Sequence, residues 1–332
     1  MTGVAVGAIG LQMKMYITVA LVFAIAFAVL YSLFLYMGFG SIIGIFAFAV
    51  LFFLLQWYLS PELMKWMSKL RYIDGNEYPE LHAVVKELAG AAKVPVPRIA
   101  IAPRPDPNAY VFGRTVKSST LVVHEGLLKT LDKNELRAVL AHEIGHLRHN
   151  DVAMMTLVSF LPMVAYMVAR SLLWGGMWGN GKNNSGGLVA VGFAGFVIYF
   201  VMQMLTLSLS RARETYADEY SASATQKPEH LASSLLKITG ANYVSGTPKG
   251  STDARAFYIS DPFSARKDVD GIVAHAKELK ELLPNLDVEA FADAMRKQSA
   301  SRGSLLMGLF ATHPPAHKRV LRLAALKKKG LA

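Results

Sequence analysis

The run His142-Glu143-Ile144-Gly145-His146 decides how this chain is read. On a helix, histidines four apart project from one face about 6 Å apart along the axis, so both imidazoles reach one metal ion. A glutamate beside the first histidine is then placed to take a proton from a water that the metal activates. Asp132 and Glu135 form a capping box upstream, and Leu136, Val139, Leu140 and Leu147 supply an apolar face. The spacing therefore predicts a helix with the motif in its middle. A chance match on a surface helix would lack that setting.

The surrounding chain is too apolar for an ordinary soluble domain: 53% of its 332 residues are hydrophobic and only 18% charged. The excess is local. Residues 15–61 contain no charge, and Gly38, Gly40 and Ser41 punctuate the middle, which leaves room for two bilayer spans joined by a tight turn. That run is too long for a cleaved signal peptide. Apolar runs at 152–169 and 186–210, the latter interrupted by Gln203, predict a second membrane hairpin. The shortness of 152–169 keeps open a buried hairpin in a soluble core.

Lys14, Lys65, Lys69, Arg71, Arg211 and Arg213 flank the spans on one side, whereas the other side has only Arg170 and Lys182. The positive-inside rule puts both termini and the large polar segments in the cytoplasm. The net charge of +11 is dispersed and accompanies no nucleic-acid motif, so anionic membrane lipid is a sufficient partner and nucleic acid is not expected. No feature specifies an oligomer. With no cysteine, disulfides, thiolate metal ligands and a thiol nucleophile are excluded. Any metal must be held by histidine and carboxylate.

These breaks divide the chain into a transmembrane hairpin (1–61), a polar segment with a small sheet and the metal helix (62–151), a second hairpin (152–210) and a second polar segment (211–332). In the first polar segment a helix is expected near 78–92, with strands at Arg98–Ala102, Ala109–Phe112 and Thr120–His124. In the second, helices are expected at 211–225, 229–240, 272–283 and 288–298, with a basic helix last. The stretch 245–271, rich in Gly, Pro, Ser and Asp, reads as a lid, a soft linker or a variable surface loop.

A catalytic zinc site takes three protein ligands plus water, so two histidines leave one missing. His149 lies about 10 Å along the helix axis from His142, too far to share an ion. The metal helix enters the third span about six residues after His146, which puts the histidines roughly 9 Å above the inner surface. The fourth span returns near Ser210, and Glu214 stands at a similar height one turn later. Glu214 is the expected third ligand. Asp218, at i+4 on the same face, is placed to accept a hydrogen bond from a ligand histidine. A solvated charged helix end containing Arg211 and Arg213 is the alternative.

Leu140-Ala-His-Glu-Ile-Gly-His146 and Ser210-Arg-Ala-Arg-Glu-Thr-Tyr-Ala-Asp218 resemble the paired signatures of HtpX-type membrane zinc metalloproteases, a family related to the CAAX prenyl endoproteases. The likeness extends to Asn108-Ala-Tyr-Val-Phe-Gly113, Asn150-Asp151, Thr312-His-Pro-Pro315 and Arg319. Tyr110 and Val111 depart from the commoner Phe-Ala of that run. The resemblance implies one catalytic zinc on His142, His146 and Glu214, Glu143 as general base, and Asp151, Asp218 and Arg319 supporting them. It implies an α+β, mainly helical fold with four transmembrane helices and a cytoplasmic zincin-like metalloprotease domain containing a small β-sheet. Prenyl endoproteases carry about seven spans, so four favour the HtpX-type branch. The implied setting is multi-pass in the plasma (inner) membrane. The implied work is hydrolysis of membrane proteins or unfolded polypeptides in quality control under stress.

Within that reading, His313, between Thr312 and two prolines, is a candidate oxyanion donor with Tyr216 behind it, a role typically worth about 3 kcal/mol. It reads equally as a structural histidine at a turn. Arg319 orients carboxylates around the site. Asn108, Ala109 and Tyr110 begin a strand that either pairs with an extended substrate or is plain sheet. Two rival functions stay open: a narrow processing protease of the CAAX type, and a zinc-binding membrane scaffold without activity. Glu143 speaks against the second, because a purely structural site needs no poised base.

Overall fold

Alternating small and branched side chains in Arg98–Ala102 and a continuous apolar run in Thr120–His124 build the centre of a four-stranded sheet. The computed structural model describes residues 42–152, 185–245, 258–260, 264–284, 288–297, 313–328 and 330, with scattered positions within 17–24 and 154–174. The strands are β1 (Arg71–Tyr72), β2 (Arg98–Ala102), β3 (Ala109–Phe112) and β4 (Thr120–His124), in the order β1-β2-β4-β3. β2 and β4 are parallel, with Ile99 opposite Leu121 and Ile101 opposite Val123, while β1 and β3 join them antiparallel. Ile99, Ile101, Leu121 and Val123 point into the main core. Ala100, Ala102 and Val122 take the other face with Tyr110 and Phe112, covered by Met64 and Leu70. Both faces are buried, which is why β4 shows no polar alternation.

The helices are α1 (Ile42–Ser68), α2 (Pro79–Ala92), α3 (Glu125–Thr130), α4 (Lys133–Arg148), α5 (Ser185–Thr225), α6 (Pro228–Ser245), α7 (Ala265–Ala274), α8 (Ala276–Leu282), α9 (Val288–Lys297) and α10 (Ala316–Lys328). The chain divides into two units, Met1–Ser60 with Met154–Ala212, and Pro61–Ala153 with Arg213–Ala332.

In the second unit α4 starts as expected. Asp132 accepts from the Asn134 and Glu135 amides at 2.8 and 2.9 Å, and Glu135 accepts from the Asp132 amide at 2.9 Å. The same buried Glu135 carboxylate accepts from Ser233 at 2.6 Å and Lys237 at 2.7 Å on α6, so the cap also docks a neighbouring helix. Val139, Leu140, Ile144 and Leu147 face the core with Leu81, Val85 and Leu88 of α2. Each such side chain contributes on the order of 1.5–3 kcal/mol of hydrophobic burial. At the β4–α3 junction Gly126 is forced: a Cβ there would lie 2.0 Å from the Pro105 carbonyl oxygen.

In the first unit, Gly192 and Gly195 of α5 admit Leu173 and Ala169, where an added Cβ would stand 2.8 and 3.0 Å from their side chains. Tyr166, Phe196 and Tyr199 form a ring cluster with centroids 5.4–6.4 Å apart. Leu51, Leu55, Phe193 and Val197 are exposed.

Several boundaries differ from the sequence reading. α1 runs through Pro61 to Ser68, and α5 carries the expected helix 211–225 as an unbroken continuation of the apolar run before it, because a change from apolar to polar composition does not itself end a helix. Among the described residues one helix, Val189–Thr225, is long and apolar enough to cross a membrane. The first expected span lies almost wholly outside the described residues, and 152–169 is described only in part. The expected loop 245–271 is shorter, since α7 begins at Ala265, and its residues Tyr258, Ile259 and Ser260 are buried. The expected helix 272–283 is divided between α7 and α8 at His275.

Candidate metal centre

α4 presents His142 and His146 one turn apart, with their Nε2 atoms 3.2 Å from each other and ring planes at 86°. Glu214, on α5, spans them: its Oε2 is 3.4 Å from His142 Nε2 and its Oε1 is 3.4 Å from His146 Nε2. α5 comes this close because residue 145 is glycine, where a Cβ would meet Tyr220 and the Ala217 Cα at 3.1–3.2 Å. Glu143 completes a cluster with the two histidines whose ligand atoms all lie within 4.8 Å.

The far sides of both rings face carboxylates. His146 Nδ1 donates to Asp151 Oδ2 at 2.7 Å. His142 Nδ1 lies 3.0 Å from Asp218 Oδ1, off the line of a well-aligned hydrogen bond. A carboxylate at Nδ1 keeps a proton there and turns the Nε2 lone pair toward the centre. Asp218 is in turn gripped by Arg319, through Nε at 2.9 Å and Nη2 at 2.6 Å. Arg319 Nη1 stands 3.5 Å from Glu214 Oε2. Asp151 is held by Arg213, which donates to its carbonyl at 3.2 Å.

His313 Nδ1 approaches Glu214 Oε2 at 3.1 Å, and its Nε2 is buried without a hydrogen-bond partner among the described residues. Two prolines lead into α10, and Asp268 of α7 caps that helix by accepting from the Ala316 amide at 3.0 Å, which fixes where His313 enters. Tyr216 stands against His149, with ring centroids 5.7 Å apart. His149 Nδ1 turns away to the Gly145 carbonyl at 2.9 Å.

Charge is concentrated here. Burial alone would push His142 down, but Asp218 and Glu214 outweigh it and raise its pKa to about 9. Burial pushes the Glu143 carboxyl up, against the opposing pull of His146 and His142. For Glu214 burial is outweighed by His313, His142 and His146, which hold it well below the usual range. Asp218 is lowered despite burial, chiefly by Arg319, and Asp151 chiefly by Arg213.

The two histidine Nε2 atoms are 3.2 Å apart, and each lies 3.4 Å from its own oxygen of the Glu214 carboxylate, Oε2 for His142 and Oε1 for His146. Metal–ligand bonds of roughly 2.0–2.1 Å in a tetrahedron give edges of about 3.3–3.4 Å. Among the described residues the buried Glu214 Oε2 has cationic and imidazole nitrogens near it but no aligned hydrogen bond. The residues fit a small divalent cation, which would take the place of a proton between them: two imidazole nitrogens and a carboxylate, with a further carboxylate at hand. That donor set on a helix beside a sheet edge is that of a metal-dependent hydrolase.

Comparison with known proteins places this chemistry. The chain belongs to peptidase family M48, whose description, Peptidase family M48, matches residues 76–327. It is 37% identical over 236 residues to "Protease HtpX homolog" of Methanothermobacter thermautotrophicus, covering 69% of this chain and 85% of that one. It is 32% identical over 326 residues to "Protease HtpX homolog" of Moorella thermoacetica, covering 96% and 95%. The crystal structure of S. mikatae Ste24p aligns with a TM-score of 0.47 at 19% identity, covering 95% of this chain and 66% of that one. The protein is thus an HtpX-type metalloprotease relative.

Of the residues singled out in the sequence, His142, Glu143, His146, Asp151, Glu214, Asp218, His313 and Arg319 are brought together. Asn108, Ala109 and Tyr110 lie at the start of β3, the sheet edge that packs beside α4. All three are buried, and Asn108 Oδ1 accepts the Ile259 amide at 3.0 Å. Sequence reasoning missed Arg213, whose only signal is its place beside Glu214. It also missed the buried group Asp106, His124 and Tyr258, whose members are far apart in sequence and carry no shared motif.

Proposed function

We propose that this protein is a zinc-dependent endopeptidase of the membrane that hydrolyses membrane proteins or unfolded polypeptides at the cytoplasmic face. The single supporting observation is the Glu214 carboxylate set across the His142 and His146 Nε2 atoms, one oxygen 3.4 Å from each, with the two nitrogens 3.2 Å apart. These three residues hold the zinc; when bound, the ion supplies a Lewis acid that polarises a carbonyl and lowers the pKa of water. Glu143, buried beside the two histidines, accepts a proton from the attacking water and passes it to the leaving amine. A pKa raised by burial suits both transfers, because the group holds a proton more readily than an exposed carboxylate.

Asp151 and Asp218 fix the two imidazoles, and Arg319 fixes Asp218. His313 Nε2, buried without a hydrogen-bond partner among the described residues, is the donor assigned to the developing oxyanion. An extended substrate lies along the edge strand Ala109–Phe112, joined through backbone hydrogen bonds that impose little sequence preference. The exposed apolar side chains of α1 and α5 support residence in a bilayer, and kinship to proteases named HtpX supports a role in membrane-protein quality control under stress.

The test compares wild type with Glu143→Gln in detergent, on unfolded casein and on a prenylated CAAX peptide. Wild type cuts casein, and the variant keeps its zinc but is slower by a factor of about 10²–10⁴. Equal cleavage by both forms refutes Glu143 as the base. Cleavage of the prenylated peptide alone refutes the broad substrate class.

A further inference from the structure

Tyr258, Ile259 and Ser260 come from a stretch that composition marks as loop, yet all three are buried and each is tied down. The Tyr258 hydroxyl donates to Asp106 Oδ2 at 2.9 Å, and Asp106 also accepts from Arg104 Nε at 3.1 Å and faces His124 Nδ1 at 3.1 Å. Ser260 is held by Asn242, which donates to its carbonyl at 3.2 Å, and by Thr239, oxygen to oxygen at 3.1 Å.

The middle residue matters most. The N–H of Ile259 donates to Asn108 Oδ1 at 3.0 Å, and its C=O accepts from Arg319 Nη1 at 2.6 Å. One backbone residue is thus satisfied on both sides by side chains, whereas most buried backbone groups pair with other backbone. Arg319 uses its remaining nitrogens on Asp218, and Asp218 faces His142. A continuous polar path runs from the start of the edge strand to one of the metal-binding imidazoles.

We propose that Tyr258–Ser260 is a clasp, and that Asn108 and Tyr258 act through it as positioning residues for the Arg319–Asp218 pair behind His142. The proposal rests on the zinc reading above. In it the Asn108 side chain has an orienting role, since its oxygen is engaged inward by Ile259 and Arg319 depends on the same backbone residue for its aim. Tyr258 holds the clasp against the β2–β3 connection through Asp106.

The experiment is a double-mutant cycle on the full chain in detergent, with Asn108→Leu, Arg319→Lys and both together, reading zinc affinity by chelator competition and kcat and KM separately. Groups that orient a metal ligand typically change affinity 10- to 100-fold. Asn108→Leu is expected to weaken zinc binding about tenfold and to lower kcat with little change in KM. The double variant is expected to bind zinc no more weakly than Arg319→Lys alone, because both changes break one path. If Asn108→Leu fails to fold, Tyr258→Phe, which keeps the ring, shifts zinc affinity in the same direction. Zinc losses that simply multiply in the double variant overturn the clasp. So does a raised KM with unchanged zinc affinity, which would make Asn108 a substrate contact. A wild type that binds no zinc overturns the metal reading and the clasp with it, whereas intact wild-type binding with additive variants overturns the clasp alone.

Discussion

His146 Nδ1 and Asp151 Oδ2 are 2.7 Å apart even though the helix that carries the histidine has ended between them. Asn150 makes this return possible. Its φ of 57° is left-handed, and its amide bonds back to the Leu147 carbonyl at 3.1 Å, closing α4 in the way helices commonly stop. Asparagine and glycine tolerate that conformation, whereas a β-branched residue does not. Asn150→Gly is therefore expected to keep zinc and stability near wild type. Asn150→Val is expected to lose about 1–3 kcal/mol and to bind zinc more weakly, as thermal unfolding and chelator competition will show. Equal behaviour of the two variants would argue against the turn as the device that delivers Asp151.

Gly145 sits mid-helix, where alanine is ordinarily better by about 1 kcal/mol. Here the added methyl group meets Tyr220 and the Ala217 backbone at 3.1–3.2 Å. Crowding wins over propensity. Gly145→Ala is expected to separate α4 from α5 slightly, costing about 1–3 kcal/mol in unfolding free energy and weakening zinc binding. A higher melting temperature with unchanged zinc affinity would contradict the packing account.

Much of the fold and the site is readable in the chain itself. The capping box at Asp132 and Glu135 fixes where α4 starts, and four-residue spacing then fixes where the histidines point. The strands Arg98–Ala102, Ala109–Phe112 and Thr120–His124 fall where their turn residues delimit them. β1 is not legible, because two exposed residues carry no periodicity. The burial of Tyr258–Ser260 is hidden for another reason: three residues amid Gly, Pro and Ser are held by long-range side-chain bonds that leave no local pattern. Hydropathy marks where the apolar runs stop near 61 and 210 but not the backbone, which stays helical across both points.

Asp106 governs acid behaviour of the clasp region. Burial pushes its carboxyl up, but His124 and Arg104 outweigh this and hold it well below the unfolded value of 3.8. A carboxyl lowered on folding stabilises the native state above the unfolded pKa and loses that contribution as pH falls toward the folded one. Melting temperature should therefore fall more steeply in wild type than in Asp106→Asn between about pH 4 and about pH 2. Parallel curves would remove Asp106 from the acid response.

His313 separates catalysis from metal binding. His313→Ala is expected to lower kcat by a factor of about 10²–10³ while zinc content stays unchanged, the signature of a lost oxyanion donor. Unchanged kcat would return His313 to a structural turn residue, and lost zinc would make it part of the metal set.

The most direct measurement is zinc content per chain, by elemental analysis of detergent-purified wild type, Glu143→Gln and Glu214→Ala. Glu214 bridges the two histidines at 3.4 Å on each side, whereas Glu143 stands beside them. One zinc per chain is expected in wild type and Glu143→Gln, with little or none in Glu214→Ala. Full zinc occupancy in Glu214→Ala would contradict the account, because the ion would then be held elsewhere or without its third ligand.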